Sequence, residues 1–305
     1  MKYFIALAIL LLSPIARPAQ ALEVFACEPE WAALAGEIGG DGVSVFAATT
    51  ARQDPHQVQA RPALISRIRA ADLVVCTGAE LETGWLPVLL RQGANPRVQP
   101  GTAGYFEAAS FVRLLEVPTR LDRADGDVHA AGNPHIQTDP NNIRLVGIAL
   151  ARRMAELDPA RAAGYQAREA AFRGRLDAAI ARWRVEAAPL KGVAVASQHK
   201  NWVYLLTWLG MKEVATLEPK PGVPASAGYI AQMVDELPRK GAKMILYAAY
   251  QDPKPSDFVS SRTGVPVVML PFTAGGTARA GGLIAFYDDT VGRLLAGARG
   301  HAQRD

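Results

Sequence analysis

Two rhythms alternate along this chain. Compact apolar runs, Leu22 to Cys27, Val43 to Ala47 and Asp72 to Cys76, are separated by longer stretches in which apolar residues recur every three or four positions, Glu30 to Ile38, Pro62 to Ala70 and Leu81 to Arg91. A short continuous apolar run is the mark of a strand buried on both faces, and the longer period is that of a helix with one buried stripe. The βαβα order predicts a parallel, layered lobe, closed by an amphipathic helix from Asn141 to Glu156. The rhythm then changes. From Pro159 to Val185 the sequence is rich in Ala and Arg, has no Gly-Pro punctuation, and sets Phe172, Leu176, Ile180 and Trp183 at helical spacing. Asp158-Pro159 offers a cap and a first-turn proline, and Pro189 a stop. One helix of about 27 residues would be about 40 Å long, enough to lie beside two lobes and join them. A second series follows. Val193 to Ala196, Glu213 to Leu217, Met244 to Ala248 and Val265 to Leu270 read as strands, and Trp202 to Leu209, Ser226 to Leu237, Ser256 to Thr263 and Leu283 to Leu295 as helices. The tail from Gly300 reads as a frayed end, with His301 in solvent. The pattern predicts an α/β protein with two parallel-sheet lobes, residues 22–158 and 189–305, joined by one long rigid helix over residues 159–188.

The first 21 residues stand apart. Met1-Lys2 gives a positive start, Phe4 to Ile15 is almost wholly apolar, and Ala19-Gln20-Ala21 is a small-x-small cleavage site before Leu22. The apolar stretch is too short to span a bilayer, and no later segment reaches about 18 apolar residues. The chain is therefore predicted to carry a signal peptide cleaved after Ala21 and to be a soluble, exported, periplasmic protein, not embedded in a membrane. Val24-Phe25-Ala26-Cys27 resembles a lipid-attachment box only loosely, because Phe25 is bulky and Cys27 lies past the apolar core. Without Lys2 and Arg17 the mature chain holds 31 basic and 29 acidic residues, a balance that gives no argument for nucleic acid as a partner. Cys27 and Cys76 both end strand-like runs; an exported compartment permits a disulfide between them, and two buried thiols satisfy the same pattern.

Candidate chemistry lies in the histidines. There are five in 305 residues, and three sit in similar settings, Asp54-Pro55-His56, Asn133-Pro134-His135 and Ser197-Gln198-His199. They are 79 and 64 residues apart, too far for a local finger, so only the tertiary fold can gather them. In a parallel sheet, ligand groups belong at the carboxyl ends of strands. His199 follows one predicted strand there, His56 follows Val43 to Ala47 through a polar loop, and His135 precedes the helix at Asn141. Three imidazoles brought to one cleft usually hold a transition metal.

These residues carry a resemblance. Asp54-Pro55-His56 with Arg61-Pro62, Ala71-Asp72-Leu73-Val74, Gly78-Ala79-Glu80-Leu81-Glu82, Gly132-Asn133-Pro134-His135 with Thr138-Asp139-Pro140, the long middle helix and Glu218-Pro219-Lys220-Pro221-Gly222 together resemble the solute-binding proteins of zinc and manganese ABC importers, the cluster A-I family. The likeness covers nearly all of the mature chain. It implies two α/β lobes about a rigid helix, one divalent ion in the cleft between them, and His56, His135 and His199 as metal ligands. It also implies an inner-membrane ABC permease as partner, and a monomer. A third histidine in place of a glutamate favours Zn²⁺ over Mn²⁺. Asp54 and Asp139 are candidates to orient an imidazole from behind, although Asp139 also stands where a helix cap belongs.

One departure concerns the fourth ligand. The family supplies a carboxylate just after the last strand of the second lobe; here Pro271-Phe272-Thr273-Ala274-Gly275-Gly276 has no acid, and Ala274 stands about where it would be. Water, His129 in the acidic stretch Asp125-Gly126-Asp127-Val128-His129, or an acid such as Asp288 or Asp289 remain as alternatives. Gly275-Gly276 and Gly281-Gly282 read as turns. The competing function is an exported zinc-dependent hydrolase, since three histidines and a water also make a catalytic site. The chain has no His-Glu-x-x-His segment to supply a general base and no Gly-x-Ser-x-Gly elbow for a serine hydrolase. The chain is therefore read as a binding protein and not as an enzyme.

Overall fold

A computed structural model describes residues 21–120, 126 and 129–304. Residues 1–20, which hold most of the signal peptide expected from the sequence, and Asp125, Asp127 and Val128 lie outside the described residues. The first lobe is built on β1 (Leu22–Ala26), β2 (Val43–Ala47), β3 (Leu73–Cys76) and β4 (Tyr105–Glu107), in the order β2-β1-β3-β4 and all parallel. Its helices are α1 (Pro29–Gly39), α2 (Pro62–Ala70), α3 (Leu86–Gly93) and α4 (Pro140–Leu157). After α5 (Ala162–Glu186) the second lobe repeats the layout with β5 (Ala194–Ser197), β6 (Lys212–Thr216), β7 (Ile245–Ala248) and β8 (Val267–Leu270), in the order β6-β5-β7-β8. Its helices are α6 (Val203–Leu209), α7 (Ala227–Arg239), α8 (Lys254–Thr263) and α9 (Leu283–Ala298). The strands β3, β7 and β8 are buried at every residue, which is why they appear as unbroken apolar runs.

Prolines set several helix starts, because the fixed φ suits the first turn and the missing N–H would lack a partner there anyway. Pro29, Pro62 and Pro140 all occupy that position. α5 runs for 25 residues, about 37 Å at helical rise. Tyr165, Glu169, Phe172, Leu176, Ala179, Ile180 and Trp183 form its buried stripe. At one end the Tyr165 hydroxyl meets Asp158 and the carbonyl of Gly42; at the other, Trp183 packs on Trp208 and Tyr287 and donates to Asp288. One apolar core therefore runs through both lobes, from Trp31 and Ile143 to Phe286 and Leu294.

The structure departs from the sequence pattern in three places and decides one question that the pattern leaves open. The helix expected from Leu81 starts only at Leu86. Ahead of it Ala79 and Glu80 take left-handed φ of 49° and 68°, and the Glu82 carboxylate turns back to accept from the N–H groups of Thr77 and Gly78 at 2.7 and 3.1 Å. β4 was not anticipated, since three residues are too few to show a period. The tail is not frayed: the backbone of Gln303 pairs with Val267 and Met269 beside β8, although His301 is exposed as expected. Finally, Cys27 and Cys76 are joined in a disulfide across the β1–β3 pair, Cα to Cα 4.8 Å. Both are fully buried. A lipid on Cys27 would require cleavage before it, which would delete β1, a central strand of the first sheet.

Candidate metal centre

His56, His135 and His199 come together in the cleft. One donor atom from each lies within 4.8 Å of the others, and the ring centroids are 5.2 to 5.8 Å apart. Each arrives as parallel-sheet topology predicts, from the carboxyl side of the strands. His199 follows β5 by two residues, His56 stands in the loop after β2, and His135 lies between β4 and α4. Two are contributed by the first lobe and one by the second.

The imidazoles are held in different ways. His56 Nδ1 is 2.8 Å from Asp54 Oδ1, and the Asp54 side chain also accepts from the His56 N–H at 3.0 Å. His199 Nδ1 is 2.6 Å from Glu218 Oε2, which also accepts from the Gly222 N–H. A carboxylate on Nδ1 fixes the tautomer and turns Nε2 toward the cleft. His56 Nε2 is indeed buried with no partner, as is His135 Nδ1. Unpartnered imidazole nitrogens in a buried cluster are the donors a cation would satisfy. Burial disfavours ionised Asp54, but the hydrogen bond and charge of His56 outweigh it and hold the carboxyl below its ordinary value. Burial, then the like charge of His56, His199 and His129, holds His135 well below the ordinary imidazole range. It is neutral, the form that binds metal.

Asp139 does not reach an imidazole. It caps α4, accepting from the Asn141 N–H at 2.8 Å. Asp288 and Asp289 are likewise excluded as ligands. Asp288 binds Arg182 at 2.6 Å and the Trp183 indole at 2.7 Å, and Asp289 binds Thr277 at 2.6 Å and Arg293 at 2.8 Å. His129 is closer, its ring 5.6 Å from that of His56, and with His135, His199, Lys200 and Glu116 it lines a cavity of about 180 Å³. Ala274 is buried, and Gly275 turns back to Ala280 through its N–H at 2.6 Å. Sequence reasoning missed the role of Glu218, although it follows β6 at the same strand end that supplied His199 and so carried the signal. It also missed Phe272, whose ring is 5.5 Å from that of His135.

Among the described residues no helix is long and apolar enough to cross a membrane. The family model for ZnuA, zinc-uptake complex component A, periplasmic, matches residues 24–296. The metal ABC transporter substrate-binding lipoprotein SloC of Streptococcus mutans is 20% identical over 257 residues, 83% of this chain and 81% of its own length. The high-affinity zinc uptake system protein ZnuA of Brucella abortus is 27% identical over 135 residues, 43% of this chain and 40% of its own. The structure of the solute-binding protein FpvC of Pseudomonas aeruginosa in complex with Mn²⁺ superposes with a TM-score of 0.76 at 23% identity, covering 92% of this chain and 98% of that one. With nearly the whole described chain inside the family model, the protein belongs to the ZnuA family of metal ABC transporter solute-binding proteins, whose members are not enzymes.

Proposed function

We propose that the protein captures one divalent ion, Zn²⁺, in the cleft through His56, His135 and His199 and delivers it to an inner-membrane ABC permease. The observation that carries this reading is the convergence of three imidazoles from two lobes, two of them backed by carboxylates and two with buried, unpartnered nitrogens. Imidazole suits Zn²⁺, whereas Mn²⁺ favours oxygen ligands. Asp54 and Glu218, the carboxylates behind the cluster, are engaged with ring nitrogens and add negative charge without supplying the ion with oxygen. Water fills the fourth position. The remaining assignments are export by the segment ending at Ala21, action in the periplasm as a monomer, and lobes at residues 22–158 and 189–305 about a connector at residues 159–188. The hydrolase alternative finds no support, since Asp54 and Glu218 are committed to orienting imidazoles and Glu116, in the same cavity, is held by Lys200 at 2.8 Å and by Asn133.

Calorimetry on the metal-free chain tests the ligand set. His56→Ala, His135→Ala and His199→Ala should each weaken Zn²⁺ binding by more than the about 10–100-fold typical of losing an outer hydrogen bond; wild-type affinity in His199→Ala would falsify the assignment. Metal content of protein taken from the periplasm, with Zn²⁺ and Mn²⁺ in competition, tests the ion. Preferential retention of Mn²⁺ would overturn the choice of zinc.

A further inference from the structure

Two of the three imidazoles have a carboxylate behind them, and the third does not. His135 Nδ1 is buried without a hydrogen-bond partner, and the residue is 1% exposed. What stands against it is Phe272, edge to face at 69°. Phe272 comes from the other lobe, in the loop just after β8. Its backbone has φ 63°, the left-handed region that a bulky side chain rarely enters and that persists only where surroundings over-determine it.

Those surroundings are visible. The Phe272 ring also meets Tyr250 and Trp202, at 5.2 and 5.6 Å. Its carbonyl accepts from Gln137 Nε2 of the first lobe. The next residue, Thr273, donates its hydroxyl to Glu30 Oε2 of α1 at 2.5 Å, a buried bond between lobes. The loop is closed by the Gly276 N–H on the Thr273 carbonyl at 3.1 Å, and a Cβ at Gly276 would lie 1.8 Å from the Pro271 oxygen.

We propose that Phe272 is the positioning residue of His135: an aromatic wall from the second lobe, locked by the Thr273–Glu30 bond, holds the orientation of this imidazole as Asp54 and Glu218 hold that of the other two. The inference rests on His135 being a ligand. It has a functional consequence. A carboxylate two residues from His56 travels with it, and Glu218 shares a lobe with His199, but the wall behind His135 belongs to the opposite lobe. Separating the lobes therefore frees the His135 ring first and removes one donor from the ion. Release is thereby tied to lobe movement, through a part of the site that makes no contact with the metal.

A double-mutant cycle on the full chain tests this, with Zn²⁺ affinity read by competition with a chromophoric chelator and ligand geometry by Co²⁺ absorption. Phe272→Ala should weaken Zn²⁺ about 10–100-fold, the range for outer groups that orient ligands, and alter the Co²⁺ spectrum. In a His135→Ala background the same change should have less than about a twofold effect, because the ring it positions is gone. Thr273→Val, which keeps the aromatic ring but unlocks the loop, should show a smaller loss with the same dependence on His135, and serves where Phe272→Ala does not fold. Equal losses in both backgrounds would make Phe272 merely structural and overturn the proposal. So would unchanged affinity in Phe272→Ala or Thr273→Val beside a weakened His135→Ala. Wild-type affinity in His135→Ala would instead remove the ligand assignment, and the positioning role with it.

Discussion

Glu218 shows how much one carboxylate does at this site. It holds His199 Nδ1 at 2.6 Å and ties the same oxygen to the Gly222 N–H, so ring and loop are set by one group. Glu218→Ala should cost about 10–100-fold in Zn²⁺ affinity while leaving the ligand count intact, measurable by the same chelator competition; an affinity within twofold of wild type would mean that the ring is held by packing alone. His56, His135 and His199 were legible in the sequence because proline or polar residues place them at element ends. Their partners were less so. Asp54 is two residues from its imidazole and was anticipated, whereas Glu218 and Phe272 reach theirs from 19 and 137 positions away, a relation that only folding creates.

Among the elements, the strands were easy to place and the turns were not. β2 and α2 fall where the sequence pattern puts them: β2 is a short apolar run, and α2 buries Leu64 and Ile68, one helical turn apart. The start of α3 slipped because Glu82, which looks helical in sequence, spends its carboxylate on two backbone N–H groups of the preceding turn. The disulfide joins the ends of β1 and β3, 49 residues apart. In the chain-entropy account, closing a loop of that size stabilises the fold by about 4 kcal/mol. Cys27→Ala with Cys76→Ala should lower the denaturation midpoint correspondingly in urea titrations, with Zn²⁺ affinity little changed. A fall in affinity matching that of a ligand variant would instead place the bridge in the metal site.

At the scale of the whole molecule, α5 and the shared core tie both lobes together, and the histidine cluster that could hold an ion draws on both. Binding to the native state alone stabilises it by about 2.7 kcal/mol at a free concentration 100 times Kd. Zn²⁺ should therefore raise the Tm of the wild-type chain and leave the triple His56→Ala, His135→Ala, His199→Ala chain unmoved in calorimetric scans. Glu30 links the lobes with a pH dependence of known sign. Burial, opposed by the Thr273 hydrogen bond, pushes its carboxyl up to about 7, against about 4.3 in an unfolded chain. The folded state thus holds a proton that the unfolded state has lost, and this contribution is present at low pH and disappears as pH rises through about 7. His135 acts in the opposite sense: folded, it resists protonation, so its contribution is full above about 6.5 and is lost as pH falls below that. Glu30→Gln, fixed in the neutral form, should gain more Tm over wild type at pH 8 than at pH 5; a gain independent of pH would exclude the ionisation as its cause.

The sequence alone determined the α/β alternation, the long helix and the three imidazoles, because apolar period, proline placement and histidine position are local properties written in consecutive residues. It did not determine what stands behind those imidazoles. That Asp139 caps a helix while Glu218 orients a ring, that Asp288 and Asp289 face Trp183 and Arg293 instead of the cleft, and that Phe272 closes on His135 from the opposite lobe were decided only by tertiary structure. These are contacts between residues far apart in the chain, and their partners are chosen by packing and burial, which no local pattern encodes.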